Sequence, residues 1–212
     1  MRLRLGVAGA VVLATQFAAA QDQPWRSLFD GTTSNGWLEV TGKPFPTQSW
    51  IIEDGCLKAL ARTDGFENIR TVESFKSFEL QFEWKLSKLG NSGVKYRGLE
   101  YLLVDIYSTD AGDPTRITGA LYSILAPVGA NWRIGVFNES RLIVHGEHVE
   151  HWLNGTRVLS FETTNPAVQA ALRGMPAKGA SAETPVATES WISLQNRASE
   201  AWFRNIKIRP LP

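Results

Sequence analysis

Lys95, Arg97, Glu100 and Asp105 stand among aliphatic and aromatic neighbours in the run NSGVKYRGLEYLLVDIY, Asn91 to Tyr107. The run reads as two strands turned at Gly98. Charge at strand ends in such a run is costly unless it is paired, solvated or used on a ligand. A carboxylate with cations nearby can take a proton and hold the negative charge that results. The competing reading is an ion pair of Arg97 with Glu100 across the turn. Glu100 and Asp105 differ by five positions, so on one regular strand they point to opposite faces and only a bulge would bring them together.

Other titratable sets are weaker. Glu79 and Glu83 share a strand face at about 13 Å, too far apart for the ~5–5.5 Å of a retaining glycosidase pair. They are expected to lie on a solvated face neutralised by Lys85. His145, His148 and His151 cluster in sequence, but their parity and the Gly146-Glu147 turn argue against a closed three-histidine site. His151 is left either as an acid, base or single ligand, or as a ring packed against Trp152. The chain carries no Gly-rich phosphate loop, CxxC pair or HExxH helix. It also lacks a GxSxG elbow, which disfavours a serine hydrolase.

The elements that must position these groups are almost all strands. FELQFEWKL (Phe78 to Leu86) alternates strictly, with Phe78, Leu80, Phe82, Trp84 and Leu86 on one face. Further strands are expected at 50–52, 57–59, 93–97, 101–107, 120–123, 132–136, 141–145, 148–153, 156–161, 191–195 and 201–208. Asn154-Gly155 between apolar runs is a strong hairpin signal. Phe45 to Gln48 is expected to cross between strands. Asn165 to Glu189, rich in Ala, Pro, Gly, Ser and Thr, reads as an exposed loop with a short helix at Val168–Leu172. Short strands with turn punctuation predict a β-sandwich or barrel.

At the N-terminus, Arg2 and Arg4 precede the apolar stretch Leu5–Thr15 and then Ala18-Ala19-Ala20, the pattern of a secretory signal peptide cleaved after Ala20. The stretch is shorter than the ~20 residues of a membrane span. Residues 21–212 are then one exported, non-membrane domain. Cleavage lowers Lys+Arg from 22 to 20 against 21 Asp+Glu, so the formal charge moves from +1 to −1. A near-neutral surface argues against nucleic acid or an anionic membrane as partner. Cys56 is the single cysteine, so no intrachain disulfide forms. The 8 Trp are a high count for this length; core packing is the main use expected of them, and Trp also stacks on the apolar face of a sugar ring.

Several motifs occur in an order that resembles the DUF1080, or 3-keto-disaccharide hydrolase, family: SLFDG (Ser27–Gly31), NSGVKYRG, EYLLVD, Gly119-Ala120-Leu121-Tyr122, HWLNG (His151–Gly155), SLQNR (Ser193–Arg197) and FRNIKI (Phe203–Ile208). The resemblance implies a concanavalin-like jelly-roll sandwich of two antiparallel sheets, and cleavage of 3-keto-glycosides supplied by an upstream sugar oxidoreductase. It carries over Arg97, Glu100, Asp105 and Tyr122 as cleft residues, with His151 and Gln195. Leu102 and Arg197 stand where the family has Gln and His. On this reading Glu100 or His151 is the base, Arg97 or Arg197 stabilises the oxyanion, and Tyr122 or Asp105 positions. Trp132 is a stacking surface, and a divalent metal could bind at Glu100, Asp105 and His151. Asn91 and Asn154 read as turn residues, and Arg204 and Asn205 as ties between the last strand and the first ones. The alternative is a non-catalytic carbohydrate-binding module on the same fold.

Overall fold

The computed structural model describes residues 23–62, 66–105, 112–174 and 187–212. The expected leader, the end of the 101–107 strand and residues 175–186 of the expected loop lie outside them. The described strands are β1 (Arg26–Ser27), β2 (Trp37–Glu39), β3 (Trp50–Glu53), β4 (Cys56–Ala59), β5 (Ile69–Phe75), β6 (Phe78–Leu86), β7 (Asn91–Tyr96) and β8 (Leu99–Val104). They continue as β9 (Asn138–His145), β10 (His148–Leu153), β11 (Thr156–Glu162), β12 (Ser190–Leu194) and β13 (Ala201–Pro210). One helix, α1 (Pro166–Gly174), follows β11.

The strands form two antiparallel sheets, as the sequence predicts. The larger runs β11-β10-β9-β6-β13-β4-β3, with β1 added on β13, and the smaller runs β2-β5-β12-β7-β8. Phe45–Gln48 lies between β2 and β3 and so carries the chain from one sheet to the other. β6 alternates as its sequence demands. Phe78, Leu80, Phe82, Trp84 and Leu86 are buried in the common core with Trp37, Trp50, Tyr96, Tyr101 and Phe203.

The outward face of β6 differs from the expected solvated carboxylate row. Glu79 is buried and ion-paired with Arg141 at 2.7 Å and Arg209 at 2.5 Å. Glu83 accepts from Arg204 at 2.8 Å and Asn205 at 2.6 Å. Lys85 does not neutralise them; its ammonium lies 4.1 Å from the centroid of the Trp202 ring. Paired guanidinium groups are what make a buried carboxylate tolerable. Arg204 and Asn205 therefore tie β13 to β6 rather than to the first strands.

Trp132–Val136 is not a strand. It loops into β9 with Gly135 in the left-handed region at φ 77°, and Trp132 and Ile134 pack against the core from the side. Ala120–Ser123 makes only isolated bridges at Leu121. No strand is expected from the sequence at β1, β2 or β5.

Polar ties cross the apolar core. Trp84 Nε1 donates to Ser140 Oγ at 2.8 Å, Ser140 donates to Tyr101 Oη at 3.0 Å, and Tyr101 donates to the Trp152 carbonyl at 3.1 Å. Tyr101 belongs to the smaller sheet and the other three to the larger. Ser140→Ala strands the buried indole N–H and removes a donor from Tyr101. A buried unsatisfied group costs about 1–3 kcal/mol. Urea unfolding of Ser140→Ala is expected to show a loss in that range with an unchanged m-value.

Candidate active site

Arg97 and Gly98 form the two-residue turn between β7 and β8, both with positive φ (49° and 81°). This is the primed turn whose twist matches a hairpin, and a non-glycine at its first position needs support. Arg97 has it. Its guanidinium donates to the carbonyls of Ala187 and Gly146 and lies 3.9 Å from Glu147, and its backbone N–H donates to Ser190 Oγ at 2.6 Å. Arg97 is thus a buried clamp on the turn, and not the partner of Glu100.

The turn sets Lys95 directly opposite Glu100. Leu99, Tyr101 and Leu103 enter the core, so Glu100 and Leu102 face outward from the smaller sheet. The Glu100 side chain is only 12% exposed, and Lys95 Nζ stands 3.8 Å from its Oε2. Gln195 Nε2 donates to the same oxygen at 2.9 Å. Gln195 Oε1 in turn accepts from Arg197 Nε at 3.3 Å, and Arg197 is exposed at the rim. Burial raises the Glu100 pKa, while Lys95, Arg197 and the Gln195 hydrogen bond pull against that rise without cancelling it.

Gly93 makes this packing possible. A Cβ there would stand 2.8 Å from Glu100 Oε1 and 3.1 Å from Gln195 Oε1. The backbone N–H of Tyr122 donates to the Glu100 carbonyl at 3.1 Å, and the Arg116 guanidinium lies 5.5 Å from the Tyr122 ring centroid. Tyr122 therefore borders the cluster. Of the residues expected from sequence, the structure joins Glu100, Gln195 and Arg197 with Tyr122 beside them, and it adds Lys95.

It does not join the others. Asp105 is buried one residue beyond β8 and accepts from the Leu89 N–H at 2.6 Å, which secures the β6–β7 turn. Five residues of extended chain separate it from Glu100, about 17 Å at ~3.3 Å each. No bulge re-aims it. His151 is fully buried on the core side. Its Nδ1–H donates to the Gly119 carbonyl at 2.9 Å, so Nε2 accepts from Tyr96 Oη at 2.6 Å. Its ring packs on Tyr101 with centroids 4.5 Å apart. Trp132 packs against the core edge. His145 faces the Pro212 carbonyl, and His148 pairs with Glu162 and Glu150.

Glu100, Asp105 and His151 thus occupy three separate surroundings and do not fit a shared divalent ion. Among the described residues, no three His, Cys, Asp or Glu side chains are grouped to hold a metal. Two surface depressions, one at Phe75, His145 and Leu211 and one at Arg133, Asn154 and Thr156, include none of the cluster.

Burial lowers the His151 pKa from 6.5 to about 4, against the opposing hydrogen bond to Gly119. Between those values only the unfolded chain takes up the proton, so acid favours unfolding. The stability from a neutral His151 is present above pH 6.5 and lost as pH falls through about 4. The shift corresponds to about 3 kcal/mol. Chemical denaturation from pH 7.5 to 4 is expected to show a step of that order that is missing in His151→Gln.

The family model for the 3-keto-alpha-glucoside-1,2-lyase-like domain matches residues 24–209. A 3-keto-disaccharide hydrolase of Bacteroides thetaiotaomicron is 27% identical over 228 residues, covering 87% of this chain and 78% of that protein. Two crystal structures of candidate glycosyl hydrolases from Parabacteroides distasonis are similar. One superposes with a TM-score of 0.76 at 22% identity, covering 92% of this chain and 97% of its own. The other has a TM-score of 0.68 at 25% identity, covering 89% and 100%.

Proposed function

Because the chain belongs to the 3-keto-alpha-glucoside-1,2-lyase-like domain family, we propose that it cleaves 3-keto-glycosides at the Glu100 cluster. The single observation that supports this most is the Glu100 carboxyl, held in a largely buried position between Lys95 and Gln195 with its pKa raised. A base more basic than an ordinary carboxylate suits abstraction of a proton α to a ketone.

The 3-ketone acidifies C2–H. Glu100 takes that proton, and the C–H electron pair becomes the C2–C3 double bond of an enolate whose charge rests on O3. Lys95 and the rim cation Arg197 are placed to stabilise that charge. The enolate collapses, forming the C1–C2 double bond and expelling the C1 oxygen with its electron pair. That oxygen takes a proton, from Glu100 or from water. Water then adds across the double bond, with its hydroxyl at C1 and a proton at C2. The sum is one water consumed, and a 3-keto sugar and an alcohol released. Gln195 holds the Glu100 carboxyl in line and links it to Arg197. Arg97, Asp105 and His151 act through the scaffold that sets Glu100 in place.

The substrate must come from a reaction that oxidises a C3 hydroxyl, which is the role assigned to an upstream oxidoreductase. The leader read at Arg2–Ala20 supports placing this cleavage outside the cytoplasm.

Release of alcohol from a 3-keto-glucoside tests the reading against its unoxidised parent. Glu100→Gln is expected to lower kcat by at least about a thousandfold while KM stays within a few-fold, near the upper part of the range for general-base loss. The acid limb of kcat/KM should lie above the ordinary glutamate value. Lys95→Met should move it further up, because the ion pair no longer favours the carboxylate. Equal turnover of the unoxidised parent would reject the mechanism.

Gly93→Ala tests the packing. The added methyl meets only the ends of flexible side chains, so the fold should lose no more than about 1 kcal/mol. The displaced carboxyl should cost roughly ten- to a hundredfold in kcat, as misplacement of a reacting group does.

A further inference from the structure

Four strands of the smaller sheet bring one row of side chains to its outward face. Arg70 on β5 stands opposite Ser193 on β12, Ser193 opposite Lys95 on β7, and Lys95 opposite Glu100 on β8. The row spans three strand spacings of ~4.8 Å, about 14 Å from Arg70 to Glu100. Beside the row stands Trp191, two residues before Ser193 on β12, which neither the family motifs nor the mechanism uses.

Trp191 has the attributes of a platform. It is 42% exposed, and the Arg70 guanidinium lies 4.2 Å from its ring centroid. Arg70 is itself fixed, donating to the Val40 carbonyl at 3.2 Å and to the Thr71 carbonyl at 3.0 Å. One face of the indole is therefore backed by a held cation, while 42% of the residue stays exposed. Val72, 59% exposed, follows Arg70 at the next outward position of β5 and widens the apolar surface. Among the described residues the other exposed tryptophan, Trp25, lies on the larger sheet against Arg209, away from the row.

We propose that Trp191 is the stacking platform for the leaving-group sugar of a 3-keto-disaccharide, with Arg70 holding the ring in position. The proposal rests on Glu100 as the site of cleavage and names the residue that meets the second sugar of a two-sugar substrate. The apolar face of a pyranose lies on an aromatic ring, and a rigid ring binds with little loss of side-chain freedom. Two strand spacings and a two-residue offset along β12 separate Glu100 from Trp191 by about 12 Å, which exceeds one sugar ring and suits two.

The test compares 3-keto-maltose with methyl 3-keto-α-glucoside. Trp191→Ala is expected to raise KM for 3-keto-maltose about tenfold, the effect of losing roughly one stacking contact. Its kcat and both constants for the methyl glycoside should stay within about twofold, and Trp191→Phe should restore most of the loss. An equal loss on both probes, or no loss on either, would overturn the platform. Calorimetry of the same two probes in a Glu100→Gln background keeps the two readings apart. If the unaltered protein releases product from neither probe, the reading of Glu100 fails. Selective weakening of 3-keto-maltose binding by Trp191→Ala would still uphold the platform, and no binding or an unselective change would reject it.

Discussion

A slip of one residue between β7 and β8 would turn Glu100 into the core and Tyr101 out to solvent, because side chains alternate along a strand. The register of this hairpin is therefore the constraint on which the site depends. It is held by a turn whose first position is strained for arginine, at φ 49°, and by the contacts that only a long, forked donor can make. The Arg97 guanidinium reaches the β9–β10 turn at Gly146 and Glu147 as well as the segment before β12 at Ala187. Both sheets thus grip the turn. A residue that looks catalytic in sequence earns its place by fixing where a different residue stands.

The same logic extends inward. Tyr96 and Tyr101 project from the smaller sheet into an otherwise apolar core and find partners in His151, Ser140 and the Trp152 carbonyl on the larger one. Burial pushes both phenols' pKa values up, so they remain hydrogen-bond donors. Apolar packing alone would let the sheets slide over one another. A buried hydroxyl tolerates only the alignment that satisfies it, because leaving it unpaired costs more than a single good contact contributes. His151 completes the link to the outer face, since Gly119, which accepts from it, begins the turn whose Tyr122 N–H bonds the Glu100 carbonyl.

What the sequence shows depends on whether the cause is local. The alternation of β6 and the Asn154-Gly155 turn are local, and both appear where the pattern puts them. β5, IRTVESF, is hidden because Val72, Glu73 and Ser74 are all exposed beside a shift in register against β12, so the strand has no clean period. Trp132–Val136 has the composition of a strand but turns at Gly135. The pairing of Lys95 with Glu100 was within reach: once Arg97-Gly98 is taken as a two-residue turn, the residues second before and second after it must face each other. The burial of His151, the bond from Leu89 to Asp105 and the stacking of Arg70 on Trp191 join residues distant in the chain or set by tertiary packing. No spacing rule could have disclosed them.

The division of labour across the smaller sheet has an evolutionary consequence. Along β7, β8 and β12, alternate residues either pack the core or face outward, and the two sets share only the backbone. An exchange at the exposed Trp191 alters what meets a ligand while the inward neighbours Ile192 and Leu194 keep their packing. Such a sheet can drift in substrate preference one position at a time, with the stability cost of each step insulated from the fold. Arg197, exposed at the rim of the same face, is a position of this kind, and it marks the face on which new specificities would first arise.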